Sequence, residues 1–222
     1  MAACHVRSIS LPSRSHPLNA SVEDQLDRLR SSLTASTSAY HKLSGLKALY
    51  ECVEDFLQLP STQQTLSNEQ QKERGEEVLN GSLLLLDMCS TTRDVFSSMK
   101  ECLQELESSL RRRKGGESGF SSEVESYMIQ RPDQAPMAGL SFQNYFNPNV
   151  YHATAEASEL EKIDAELLVL KSSKDINPVQ VQNVLKGLVA FESDIQEAEE
   201  ELEAAYRKLL KTRVTILNIL SH

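Results

Sequence analysis

The 222-residue sequence contains no tryptophan, and aromatic residues of all kinds amount to 5% of it. Sheets favour aromatic and β-branched residues alternating with polar ones, and the sequence has no such alternation. Hydrophobic runs are also short, because the longest, Leu83–Leu86, is far below the roughly 20 residues that a membrane-spanning helix needs. These absences predict a soluble, all-α protein.

Basic charge is scarce as well, because 23 lysines and arginines stand against 32 aspartates and glutamates, for a net charge of −9. A nucleic-acid-binding protein needs a dominant basic face. The one dense basic run, residues 111–114, is too short to supply it. We therefore expect no nucleic-acid partner.

Residues that carry chemistry are few and dispersed. The 4 cysteines form no Cys-x-x-Cys pair and follow no signal peptide, which indicates reduced thiols in an intracellular protein, cytoplasmic or nuclear. The 5 histidines are scattered, and none pairs suitably with a cysteine in a metal site. No catalytic residue, metal site or cofactor is predicted, and we expect the protein not to be an enzyme.

The C-terminal part of the sequence contains a long helical seam. Its residues alternate spacings of three and four, the 3.5-residue period of helices that wrap around other helices. At 1.5 Å per residue the seam would be about 60 Å long, so its packing partners must be long helices too. The seam comprises Val181, Val184, Leu188, Phe191, Ile195, Ala198, Leu202, Ala205, Leu209, Thr212, Ile216 and Ile219.

Apolar periodicity and capping residues predict further helices upstream of the seam. The helix of about 67–114 has an inward stripe that includes Leu79, Leu83, Leu86, Ser90 and Arg93. Six helices are predicted. Three have approximate spans, which are 40–59, 67–114 and 178–220, and for the other three only the starts are predicted, at Ser21, Ser122 and Ser158.

Four regions follow from these patterns. Residues 1–18 form a disordered Ser/Arg/Pro tail, and residues 19–115 form the N-terminal helices of the bundle. Residues 116–157 form a short helix and an irregular linker, and residues 158–222 form a C-terminal helical hairpin that completes the bundle. The expected fold is an elongated helical bundle with long coiled-coil-like helices.

Acidic residues are dense between Glu192 and Glu203, among the seam residues of the terminal helix. Such a run is typical of a solvent-exposed helix face. Basic residues follow between Arg207 and Arg213. This acidic-then-basic order also suits pairing with an antiparallel helix.

The N-terminal tail contains a specific short motif. Arg7, Ser8, Ser10 and Pro12 match the pattern Arg-Ser-x-Ser-x-Pro, which 14-3-3 proteins bind when the second serine is phosphorylated. The alternatives are an inert tail that contains the string by chance, or a plastid transit peptide.

Five blocks spread from the tail to the C-terminus match one protein family. The blocks are His5–Pro17, His41–Leu46, Leu86–Asp94, Leu110–Glu117 and Lys211–Leu220. Through them the chain resembles a plant-specific family of uncharacterised proteins that is filed under a domain of unknown function and grouped with BYPASS-related proteins. The resemblance covers residues 1 to about 128 and 159–222.

The resemblance implies a helical protein to which no enzyme activity or cofactor is attached and which is linked to root and shoot development. Related proteins continue after the position of Tyr127 with a Lys/Arg-rich helix, whereas residues 129–150 here are short, proline-containing and not basic. We expect a non-enzymatic plant interaction protein, an adaptor or regulator that acts through protein partners. The alternative is a peripheral membrane- or lipid-associated helical protein.

Self-association is a further expectation, because apolar residues also lie beside the main seam, among them Leu185, Val189, Leu210, Val214 and Leu217. A long helix with an uncovered apolar stripe exposes more apolar surface than monomers usually tolerate. We expect pairing through residues 181–220, as a two-fold homodimer or with a helix of a partner protein.

The tail motif leads to the first prediction. A peptide spanning residues 4–16 should bind a 14-3-3 protein when Ser10 is phosphorylated, at micromolar strength, about −8 kcal/mol. Fluorescence anisotropy measures the affinity, and a peptide with Ser10→Ala is the control. Equal binding of the phosphorylated and control peptides would show that Ser10 has no such role.

Overall fold

The structure is a computed structural model that describes residues 16–34, 39–112, 120–130, 155–172 and 178–221. Nearly all of these residues are helical, and no strand occurs among them, so the all-α prediction is confirmed. The predicted tail up to residue 15 and most of the predicted linker lie outside the described residues. The helices are α1 (Pro17–Thr34), α2 (Ala39–Leu57), α3 (Pro60–Leu66), α4 (Glu69–Arg112), α5 (Phe120–Gln130), α6 (Ala155–Ser172) and α7 (Pro178–Leu220).

The two longest helices, α4 with 44 residues and α7 with 43, lie side by side in opposite directions. Their contacts give the direction. Arg93 of α4 pairs with Glu203 of α7, whereas Lys100, further along α4, pairs with Glu199, which comes earlier on α7. The length that the seam demands of its partner is thus provided by α4.

The seam lies on the inner face of α7. Every seam residue from Val184 to Ile216 is buried, and the two end residues, Val181 and Ile219, are half-buried. A leucine such as Leu202, which is 2% exposed, contributes about 2 kcal/mol when it leaves water. Repeated along the helix, this burial is the largest favourable term that the fold offers.

Two clusters of buried residues follow each other along the α4–α7 pair. At one end, α5 and α6 complete a four-helix core in which Leu106, Leu167 and Leu170 are fully buried. At the other end, α2 packs on α7, and Leu57 and Ile216 belong to a smaller cluster. Helix α1 packs on α2, and no residue of α1 is fully buried.

The start of α1 differs from the predicted one. The helix begins at Pro17, because Nδ1 of His16 accepts a hydrogen bond from the backbone N–H of Leu18 at 3.2 Å and Pro17 has the backbone angle of a first helical residue. Ser21, the predicted cap, lies inside the helix with its Oγ 3.6 Å from Sγ of Cys52. Ser158 likewise lies inside α6 and does not begin it.

Helix α3 is absent from the sequence-based predictions. Its segment is polar and has no apolar period, so periodicity gives no signal for it. Pro60 starts the helix after an extended Leu59, and the side-chain amide of Gln63 donates to the carbonyl of Leu57 at 2.9 Å. The helix therefore depends on its N-terminal proline and on contacts with its neighbours.

The inward stripe of α4 contains Leu79 and Leu86 as predicted, but at two other positions the residue before the predicted one is buried. Ser82 and Cys89 are buried, whereas Leu83 and Ser90 are exposed. The reason is Arg213 of α7, which donates to Oγ of Ser82 at 2.9 Å and so needs an acceptor, not a leucine, at that position.

The second prediction concerns the seam. Leu202→Asp should lower the free energy of unfolding by several kcal/mol, because it places a charge without a partner in the interface. Glu200→Lys should change it by less than about 0.5 kcal/mol, because Glu200 is exposed. Thermal melts followed by circular dichroism compare the two variants, and similar losses would contradict the assigned inner face.

Candidate interaction surface

The polar residues of α7 divide into two series according to their neighbours. Residues that come just before a seam residue contact α2, as Glu201 and Lys208 do. Residues that come just after a seam residue contact α4, as Glu203 and Arg213 do. The seam therefore has one polar border with each neighbouring helix.

The border with α2 carries complementary charges. Nζ of Lys47 donates to Oε1 of Glu201 at 2.8 Å, and this hydrogen bond raises the pKa of Lys47. Further along, Oε2 of Glu54 lies 3.4 Å from Nζ of Lys208 and 3.0 Å from Nζ of Lys211. Because the acidic part of α7 meets a base and the basic part meets an acid, these pairs set the parallel register of α2 and α7.

The border with α4 contains two further members of the acidic run, Glu199 and Glu203. Glu203 pairs with Arg93, whose guanidinium also lies 5.3 Å from the ring centre of Tyr206, and Glu199 pairs with Lys100. The interpretation of the whole acidic run as a solvent-exposed face is therefore wrong for Glu199, Glu201 and Glu203. Alternate members of the run face neighbouring helices because a helical period brings them next to the seam.

Arg213 links α7 to the backbone of α4. Its guanidinium donates to the carbonyl oxygen of Leu79 and to Oγ of Ser82, which itself donates to the same carbonyl at 2.7 Å. A carbonyl oxygen within a helix already accepts one backbone bond, so Arg213 and the hydroxyl of Ser82 share its remaining acceptor capacity. This contact holds the two long helices together beside Asn80 and Gly81.

Beyond these links the α4–α7 pair has an uncovered apolar surface, which we call the open face. It consists of Leu83 of α4 and Leu210, Val214 and Leu217 of α7, which are 48%, 43%, 49% and 41% exposed. Leu210 and Leu217 come just after seam residues and therefore border α4, and Val214 lies one turn from Leu210. Contiguous apolar surface of this kind marks interaction sites more often than scattered single residues do.

The two buried thiols of the described residues, those of Cys89 and Cys102, are poor nucleophiles. Burial raises the pKa of Cys89 and of Cys102, so both remain protonated at neutral pH. Burial also raises the pKa of Tyr50 to about 12, with a smaller contribution from Cys89. No group of three or more metal-ligating side chains occurs among the described residues.

A shallow groove between α3 and the end of α7 offers no acid or base either. The residues that line it are Gln58, Pro60, Gln63, Gln64, Ser67, Thr215, Asn218 and Ile219. General acid–base chemistry needs a group that titrates, and none of these side chains does so in the working pH range.

The predicted 14-3-3 motif, Arg7, Ser8, Ser10 and Pro12, lies outside the described residues. It stays a prediction. The seam residues, in contrast, are brought together by the structure in one continuous interface within the chain. The seam residues hold α7 in the core beneath the open face and are not part of the exposed surface itself.

Comparison with known proteins gives one match. The model of the family described as Protein BPS1 matches residues 42–135 and 132–219. The chain belongs to the BPS1 family. The resemblance to BYPASS-related proteins is confirmed, and the first match contains all of α4 while the second contains α7 up to residue 219. Neither a curated protein nor a solved structure shows significant similarity to the chain.

Membership of the BPS1 family suggests a plant developmental regulator. The two matched segments overlap at residues 132–135. None of the helices in the described part of the chain is long and apolar enough to cross a membrane.

Sequence reasoning did not identify the residues that link α7 to its neighbours. Lys47, Lys100 and Arg213 give no local signal, because a surface lysine or arginine on a helix looks the same as a paired one. Arg93 does give a signal, since it interrupts the inward stripe of α4. A charge in an apolar stripe indicates a partner of opposite charge, here Glu203.

The third prediction tests the link made by Arg213. Arg213→Lys should lower the free energy of unfolding by about 1–2 kcal/mol, because Nη1 of Arg213 makes both hydrogen bonds and the lysine side chain ends one atom short of that position. Arg207→Lys, at a residue whose side chain is 76% exposed, should change it by less than about 0.5 kcal/mol. Urea unfolding curves give both values, and an equal effect of the two variants would refute the assignment.

Proposed function

We propose that this BPS1-family chain is a non-enzymatic interaction protein, an adaptor or regulator in root and shoot development, and that it binds protein partners on the open face. The observation that carries the proposal is that four apolar residues are exposed together on the two longest helices, α4 and α7. These residues are Leu83, Leu210, Val214 and Leu217. Family membership supports the developmental part of the proposal.

The support of the open face suits a docking platform. Arg213 joins α7 to α4 directly behind it, and Ile216 and Leu209 anchor the same stretch of α7 in the core. A surface that is rigid before binding loses little conformational entropy when a partner arrives. Most of the free energy gained by burying the four exposed side chains can therefore appear as binding affinity.

Two occupants of the open face follow from the helical pattern. One is a second copy of the chain, as a two-fold homodimer, and the other is a helix of another protein. Phosphorylated Ser10 would recruit a 14-3-3 protein through the tail, independently of the open face. In this scheme the tail regulates the protein and the bundle carries its main contact.

A peripheral membrane role is the alternative, and the charges of α4 and α7 weigh against it. An amphipathic helix that binds anionic lipid needs free bases beside its apolar stripe. Beside the open face, Arg207 pairs with Glu203 at 2.9 Å, and on the border with α2 Lys211 pairs with Glu54 at 3.0 Å. Each of these bases already has a carboxylate of the chain as its partner.

The fourth prediction tests the proposed function in plant tissue. Tagged chain should retain its partners when Leu168 and Val169, two exposed residues of α6, are changed to Asp, and should lose them when Leu210 and Leu217 are changed to Asp. Quantitative mass spectrometry after affinity purification measures partner recovery, and thermal melts verify that both variants fold.

Equal partner recovery with the two double variants would contradict the open face as the docking surface. Sedimentation with anionic liposomes at physiological salt is the second measurement. Binding of the unchanged chain to liposomes, lost with the Leu210 and Leu217 changes, would favour the membrane alternative over protein docking.

A further inference from the structure

One side of α4 beside the open face is acidic along about eight helical turns, from Glu73 to Glu101. The residues of this acidic stripe follow one another at spacings of three and four, and every one of them is exposed. Five are carboxylates and none is basic. The stripe consists of Glu73, Glu76, Asn80, Leu83, Asp87, Ser90, Asp94, Ser97 and Glu101.

The acidic stripe and the apolar residues of α7 lie on the same side of the helix pair. On α4, Asn80, Leu83 and Asp87 each come one residue after an inward residue, as Leu210 and Leu217 do on α7. Since the two helices run in opposite directions, the positions that follow the seam on each helix border the same groove. Leu83 is the point where the stripe joins the open face.

The carboxylates of the stripe differ from the other acids of the α4–α7 pair. Glu199, Glu201 and Glu203 are held by bases of neighbouring helices. Among the described residues, no ion pair holds a carboxylate of the acidic stripe. The charges along this side of the open face are therefore available to a partner.

From this arrangement, and resting on the proposed function, we propose that the open face binds an amphipathic helix of a partner protein whose apolar stripe is flanked by lysine or arginine. The apolar stripe of such a helix would cover Leu83, Leu210, Val214 and Leu217, and one basic flank would face Asp87 and Asp94. Charges placed at the rim of an apolar contact determine orientation and choice of partner more than total affinity.

A second copy of the chain fits the same surface less well. It carries the same net charge of −9 and would present either another acidic stripe or the exposed side of α7. On that side, Arg207 is already paired with Glu203 at 2.9 Å. Two copies would thus bring uncompensated carboxylates together, whereas a basic helix neutralises them.

The fifth prediction uses two synthetic helical peptides of about 21 residues, both with leucine at alternating spacings of three and four. One has lysine at the flanking positions and the other has glutamate. By fluorescence anisotropy with the full chain, the lysine peptide should bind at least about tenfold more tightly than the glutamate peptide, and its affinity should fall as salt is raised.

Matched variants locate the contact. Asp87→Lys combined with Asp94→Lys should weaken binding of the lysine peptide about tenfold. Glu166→Lys combined with Glu197→Lys changes the net charge equally at exposed positions away from the groove and should leave the affinity unchanged. Equal weakening by both pairs would overturn the proposal, because it would indicate general attraction to an acidic chain.

Light scattering across a hundredfold dilution tests whether a second copy of the chain binds the open face. A dimer that dissociates when Leu210 and Leu217 are changed to Asp would overturn the basic helix as the occupant, and a monomer is the expected result. If those changes abolish partner recovery in plant tissue while the two peptides bind equally, the proposed function stands and the basic flank is wrong.

Discussion

The structure depends on the burial of one continuous apolar seam about 60 Å long on α7. A seam of this length cannot be covered by short elements, so the chain needs a second helix of matching length, and α4 provides it. The remaining helices cover the seam in two stages, α5 and α6 at one end and α2 at the other. The architecture is therefore a long antiparallel pair with shorter helices packed on it.

Electrostatic pairs do not drive this assembly but determine its register. A seam with a regular repeat of leucine, isoleucine and alanine can slide by one heptad at modest cost, because the same types of residue meet again. Each slide would separate Lys47 from Glu201 and Arg93 from Glu203 and leave half-buried charges without partners. The acidic-then-basic order of α7 makes one register much better than the others.

The open face results from the same geometry. Each long helix can be surrounded by neighbours on several sides, yet the described helices cover the pair unevenly, and Leu83 and Leu210 remain in contact with solvent. Arg213 contributes to this outcome because its demand for Ser82 turns Leu83 outward. Stability and docking thus involve neighbouring positions of the same helices, and the family match covers α4 and all but the last residue of α7.

Periodicity and composition were enough to identify the helical class, the long helices and the seam from Val184 to Ile216, because a repeat of 3.5 residues has one low-energy arrangement of its apolar side. The resemblance of local blocks was enough to identify the BPS1 family. Tertiary structure alone decided which polar residues of α7 pair with a neighbouring helix, that Ser82 and not Leu83 is buried, and where α3 forms. Several polar pairs of α7 join residues more than 100 positions apart, such as Ser82 and Arg213, and a local pattern carries no information about such distant partners.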